Sequence, residues 1–187
     1  MKLIDILLEI ELDNKIQSTT DDIGNELDDI FKDELNKASK QQNEAVLTTI
    51  ALIAAIPGFL KTISKIAESI SKKQGIDLRK DNKAWYKVLY NIADKIDDYV
   101  DTPFNFILKP FIKDDIKRKK ILSIIKGACL VSMAILGNID LSKTPEITNI
   151  IKSVAGEFSQ ELIEKAGTKN IDKIAELVKS IIKNIIK

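Results

Sequence analysis

Carboxylates at helical spacing are the residues of this chain best placed to do chemistry: Asp97 and Asp98 with Asp101, Glu161 with Glu164, and Asp28 and Asp29 with Asp33. Two acids on one helix face can share a proton, hold a cation or divide the roles of acid and base. On helices this rich in lysine, their ordinary use is a solvated face or i,i+4 ion pairs stabilising by about 0.2–0.5 kcal/mol. The chain has no histidine. With histidine go the commonest general base, the usual serine and cysteine triads, and most zinc and di-iron ligand sets. The seven glycines are scattered and build no glycine-rich phosphate loop. The calcium-loop pattern is also missing. These residues point to no catalytic centre, no metal site, no cofactor and no small-molecule substrate, so a non-enzymatic protein is expected.

Cys129 is the single cysteine and cannot form an intramolecular disulfide. Nothing in the chain demands an oxidising compartment. Of the 29 basic residues only Arg79 and Arg118 are arginine. Readers of nucleic acid favour arginine forks for phosphates and guanine edges, so a nucleic-acid partner is disfavoured.

The elements that must position these groups are helices. At 187 residues and 44% hydrophobic, with four prolines, the chain can bury one sizeable core. Residues 1–40 hold eleven acids against five lysines, a charge of −6. The whole chain carries +1, so the remainder carries +7. This gives an acidic front, 1–40, and a mildly basic bundle, 41–187.

In the front, Ser18, Thr19 and Thr20 ahead of Asp21 and Asp22 read as the start of an acidic amphipathic helix running to about residue 38. A helix over about 44–73 follows, with Ile56-Pro57-Gly58 set to kink it and Gly75 to stop it. Trp85, Val88, Leu89, Ile92, Ile96 and Val100 then form one stripe that ends before Thr102-Pro103, and a short turn from Phe104 is closed by Pro110. The aromatic residues between 85 and 111 read as core.

A helix over about 113–137 begins basic and ends apolar. Thr144-Pro145-Glu146 opens another, carried to Gly167, and a last helix runs from about Asn170 to the end. KIAE recurs at 65–68 and 173–176, too short a match to be a duplication. The expected fold is an all-α bundle of about six to eight helices with the two long apolar ones at its centre.

Those two segments organise everything else. Ala45–Leu60 is uncharged, and Ile121–Ile139 is interrupted only by Lys126. A membrane span needs about 20 apolar residues, so the first falls slightly short and is broken by Pro57, while the second carries a lysine costing about 2.5–3.5 kcal/mol at a bilayer centre. Ala51, Ala55 and Gly58 in one, Gly127 and Ser132 in the other, give small-residue positions for close helix packing. Lys117, Arg118, Lys119 and Lys120 form a basic anchor ahead of the second. Burial in the bundle is the favoured state, with membrane contact as the alternative. The layout resembles the pore-forming domains of colicins, which implies a membrane-active, toxin-like protein as one functional class.

Met1-Lys2-Leu3-Ile4-Asp5-Ile6-Leu7-Leu8-Glu9 is similar to the capsid-targeting leaders of internal head proteins of large contractile-tailed phages. That resemblance implies cleavage by a prohead protease after Leu7-Leu8-Glu9, with Leu7 and Glu9 as the recognition pair. The same residues also read as an ordinary first helix packed on the bundle. The apolar span after the acidic front also looks like helical phage proteins.

The leading expectation is a helical virion or head-internal protein acting by packing or membrane contact, located in the virion interior or host cytoplasm and not conventionally secreted. Protein partners or self-association follow from it. A third class, a soluble protein that inhibits a host factor, is suggested by the acidic run 21–34.

Overall fold

The computed structural model describes residues 10–22, 82–110 and 112–187 continuously, with scattered residues between 25 and 75. Leader residues Leu7 and Glu9, and Ala51, Ala55 and Pro57 of the first apolar segment, lie outside the described residues. So does most of the expected helix over 44–73.

The fold is all-α, as expected. Helix α1, Asn82–Leu108, buries Trp85, Val88, Leu89, Ile92, Ile96 and Val100 at steps of three and four. It does not end before Pro103. The helix runs through that proline, which forgoes one backbone donor, and stops at Leu108 ahead of Pro110. The aromatic stripe is also less uniform than expected: Trp85 is fully buried, whereas Tyr90 on the outer side is 50% exposed.

Helix α2, Asp115–Leu136, is the centre of the bundle. Asp114 caps it, accepting from the backbone N–H of Ile116 at 2.9 Å and Lys117 at 3.1 Å. Gly137 closes it, donating its N–H to Met133 O at 3.0 Å. From Ile121 to Ala134 every residue but Ser123 is buried. A helix apolar all round needs cover on every side, and α2 has it from α1 and from α3, α4 and α5, defined next. Each fully buried Ile or Leu contributes about 1.5–3 kcal/mol to holding it there.

Thr144 precedes α3, Pro145–Ala155, with proline in the first turn. The expected continuous helix to Gly167 is broken instead. Gly156 takes φ +55°, a 3-10 turn follows over Gly156–Phe158, and α4 spans Ser159–Ala166. Asn170 caps α5, Ile171–Ile186, accepting from Asp172 N at 2.9 Å. Ile174, Ala175, Val178 and Ile182 are its buried stripe.

Residues 10–22 are helical and lie along α1, tied by Lys87 to Asp13 at 2.6 Å and Lys95 to Asp21 at 2.9 Å. Thr19 and Thr20 are therefore mid-helix and do not cap. Their hydroxyls donate back to Lys15 O and Ile16 O, both at 2.8 Å, so their polar groups are satisfied inside the helix. Leu60 and Ser71 are buried, and Lys61 pairs with Asp172 at 2.7 Å, bringing that region to the start of α5. Among the described residues no helix is long and apolar enough to cross a membrane.

Candidate functional site

Lys126, the interruption in the second apolar segment, is where the structure sets one buried cation against two acids of the neighbouring helix. Helix α1 runs antiparallel to α2. Trp85 near its start lies against Met133, and Asp97 and Asp101, one turn apart, come level with Lys126. Lys126 Nζ donates to Asp97 Oδ1 at 2.6 Å and to Asp101 Oδ2 at 3.0 Å. Its side chain is 10% exposed, whereas Asp97 is 70% and Asp101 38% exposed. The ammonium thus emerges at the edge of the core into two carboxylates that are partly in water.

Burial alone pushes the Lys126 pKa down. The hydrogen bonds to Asp97 and Asp101, together with their charge, outweigh burial and hold it above the ordinary lysine value. A lysine so held stays protonated at neutral pH. It cannot act as a nucleophile or Schiff-base amine, which need the neutral form. The two carboxylates are correspondingly engaged by one cation, and the cluster has the chemistry of an ionic clasp between α1 and α2.

The basic run ahead of α2 is divided by the fold. Arg118 is buried and folded back on the α1–α2 corner, donating through Nη1 to Ile112 O and Lys113 O and through Nη2 to Asp115 at 2.6 Å. Lys119 is exposed and 3.2 Å from Asp115, Lys120 pairs with Glu157 at 2.7 Å, and Lys117 is half-buried with no ion pair among the described residues. Arginine's fork suits it to satisfy two carbonyls and a carboxylate at once.

The small residues are packing positions of different kinds. Gly127 faces α3 and α4 so closely that a Cβ there would lie 2.5 Å from Ala155 Cβ and 2.9 Å from Leu162 Cδ1. Ser132 is buried with its hydroxyl unbonded, and Gly58 is half-buried in a helix. Cys129 is buried in α2, and desolvation pushes its thiol up to about 12. It is a core residue and not a reactive thiol.

Two clefts open at the far end of α2, of about 460 and 490 Å³, sharing Ile135 and Lys169 in their walls. Across the larger one Lys169 donates to Asn138 Oδ1 at 3.0 Å, and both residues have positive φ. Among the described residues no group of acids and cysteines is arranged to hold a metal ion.

Sequence reasoning singled out Asp97 and Asp101 as carboxylates and Lys126 as an intruder without joining them. The signal available was two acids at i,i+4 on one helix and one lysine in the apolar stretch of the next. The contact of Trp85 with Gly137, where a Cβ would lie 1.6 Å from Trp85 Cδ1, left no mark beyond Gly137 ending a helix. No family model, no curated protein and no solved structure matches the chain.

Proposed function

We propose that this chain is a non-enzymatic helical protein of a phage-type virion or head interior, acting by packing against other proteins or by membrane contact. The single observation that carries the non-catalytic part is the clasp at Lys126. The titratable groups at the core edge between α1 and α2 are closed on one another, with the ammonium held protonated and two carboxylates engaged by it. The virion part rests on Met1–Glu9 and the acidic region behind it. Mass spectrometry of purified native particles tests it: a chain beginning just after Glu9 is expected, and an intact Met1–Glu9 in mature particles, or no association with particles, overturns it.

A second reading, a membrane-active toxin-like protein, is favoured by the cover over α2, an apolar helix sheathed by amphipathic partners such as α5. Dye release from liposomes at neutral and acidic pH separates the two. Release that follows uncovering of α2 supports the second, and retention under both conditions rejects it.

A further inference from the structure

Helix α1 turns into α2 at one end of the bundle, and α5 runs toward that end. Helix α1 finishes at Leu108 and α2 begins at Asp115, so the corner 109–114 lies at one end of the bundle. Helix α5 starts beside Ile135 and Leu136, at the opposite end of α2, and packs back along it. At 1.5 Å per residue α5 covers about 24 Å of the roughly 33 Å of α2, which brings its last turn to about the level of Lys120. Lys183, Ile185, Ile186 and Lys187 therefore lie in the half of the bundle nearer the corner.

That end is basic and partly apolar. Residues 109–120 carry five lysines and Arg118 against Asp114 and Asp115, a balance of +4. Both acids are already engaged: Asp114 accepts two backbone N–H groups, and Asp115 holds Arg118 and Lys119. Lys109, Lys113 and Lys117 have no ion pair among the described residues, nor do Lys183 and Lys187. Between the lysines stands Ile116, 68% exposed, the most exposed of the large hydrophobic side chains described. Ile185 and Ile186 are only half-buried.

We propose that this corner docks the folded protein on an anionic lipid surface, with Ile116 entering the headgroup–acyl boundary and Lys109, Lys113, Lys117 and Lys183 set against the lipid phosphates. Lysine stems reach through an apolar layer while their heads stay at the charged one, which suits these residues. A nucleic acid fits less well. An exposed isoleucine gains nothing from a phosphate backbone, and the one arginine of the corner is turned inward to Ile112 O and Lys113 O. The docking leaves α2 buried and needs no membrane-spanning helix. It goes beyond the packing reading and does not depend on a virion location, so the particle experiment can fail without touching it.

Vesicle flotation of the full chain tests the proposal, comparing phosphatidylcholine alone with phosphatidylcholine plus phosphatidylglycerol, at low and high salt. Binding is expected only to the anionic vesicles and is expected to weaken with salt. Lys113→Gln and Lys117→Gln should each lower affinity roughly fivefold, from the usual contribution of a lysine near an anionic surface. Ile116→Asp should lower it about tenfold or more, and the milder Ile116→Ser by less. Lys143→Gln, outside the corner, should change nothing. Circular dichroism confirms that the variants fold, as an exposed Ile116 predicts. No binding, equal binding to phosphatidylcholine, undiminished binding by Ile116→Asp, or displacement from vesicles by duplex DNA each overturns the proposal.

Discussion

Lys126 Nζ in α2 stands 2.6 Å from Asp97 Oδ1 in α1, across 29 residues of chain. A cation that would have made the central helix expensive to bury is instead neutralised by the neighbouring helix, with Asp101 as the second acceptor at 3.0 Å. Breaking a buried pair by removing one side costs more than replacing the whole pair with apolar groups, because the surviving charge is left unpaired.

Asp101→Asn is therefore expected to destabilise the fold by about 1–3 kcal/mol, and the more exposed Asp97→Asn by about 1 kcal/mol. The double variant should lose about 2–4 kcal/mol, roughly the sum of the two, since the ammonium at the core edge then keeps only water as its partner. Lys126→Met, of similar length, should stay within about 1.5 kcal/mol of the parent. Urea unfolding curves measure all four. A double variant as stable as the parent would show that the ammonium is not confined.

The dependence on pH follows from the signs of the shifts. The Lys126 pKa is raised, so its contribution is fully present below the unfolded lysine value of 10.5 and is lost as pH rises through the higher folded value. Asp21 is lowered, first by the hydrogen bond from Lys95. Asp115 is lowered first by Lys119 and Asp140 first by Ser142. Their contributions are present above 3.8 and lost as pH falls through the lower folded values. Stability should thus be flat through neutrality and fall at both extremes. The alkaline fall should be smaller in Lys126→Met, and equal alkaline limbs in the two proteins would contradict the clasp.

Gly137 and Gly156 are glycines for different reasons, and alanine should separate them. At Gly137 a Cβ would fall 1.6 Å from Trp85 Cδ1 and 1.9 Å from Nε1, inside the core. At Gly156 nothing lies within 4 Å, and only φ +55° resists a side chain. Gly137→Ala should cost about 3 kcal/mol by overpacking, and Gly156→Ala about 1–2 kcal/mol by backbone strain. The emission of Trp85, the single tryptophan, should shift to the red in the first variant alone. Equal losses in thermal melts would contradict this assignment.

What was legible in the sequence was local. The stripe from Trp85 to Val100, the stop at Gly137, the helix start near Asn170 and the apolar body of α2 follow from periodicity and local start and stop signals, which act within a few residues. Pro103 misled because a long helix held by packing tolerates the loss of one backbone donor. Gly156 went unnoticed because a lone glycine in an amphipathic pattern signals a break no more strongly than it signals continuation. The run from Ser18 to Asp22 has cap chemistry, yet the same hydroxyls serve equally well bonded back to the preceding turn. The clasp could not be read, since pairing Asp97 and Asp101 with Lys126 requires the register of α1 on α2. Only the packed core supplies that register.

Cys129 offers the most direct measure of how tightly α2 is covered. It is 1% exposed, and burial pushes its thiol up to about 12, so neither thiolate nor a path for reagent exists in the folded state. An aromatic disulfide reagent should therefore react at neutral pH only through opening of the bundle. The reaction should be slow in buffer, should accelerate as urea approaches the unfolding midpoint, and should be fast and stoichiometric once the chain is unfolded. Asp101→Asn should raise the native-state rate in proportion to the stability lost, a factor of about ten for each 1.4 kcal/mol, when opening and closing are fast relative to the reaction. Prompt labelling of the native protein at a rate independent of urea would mean that α2 is uncovered in solution, in conflict with its place at the centre of the bundle.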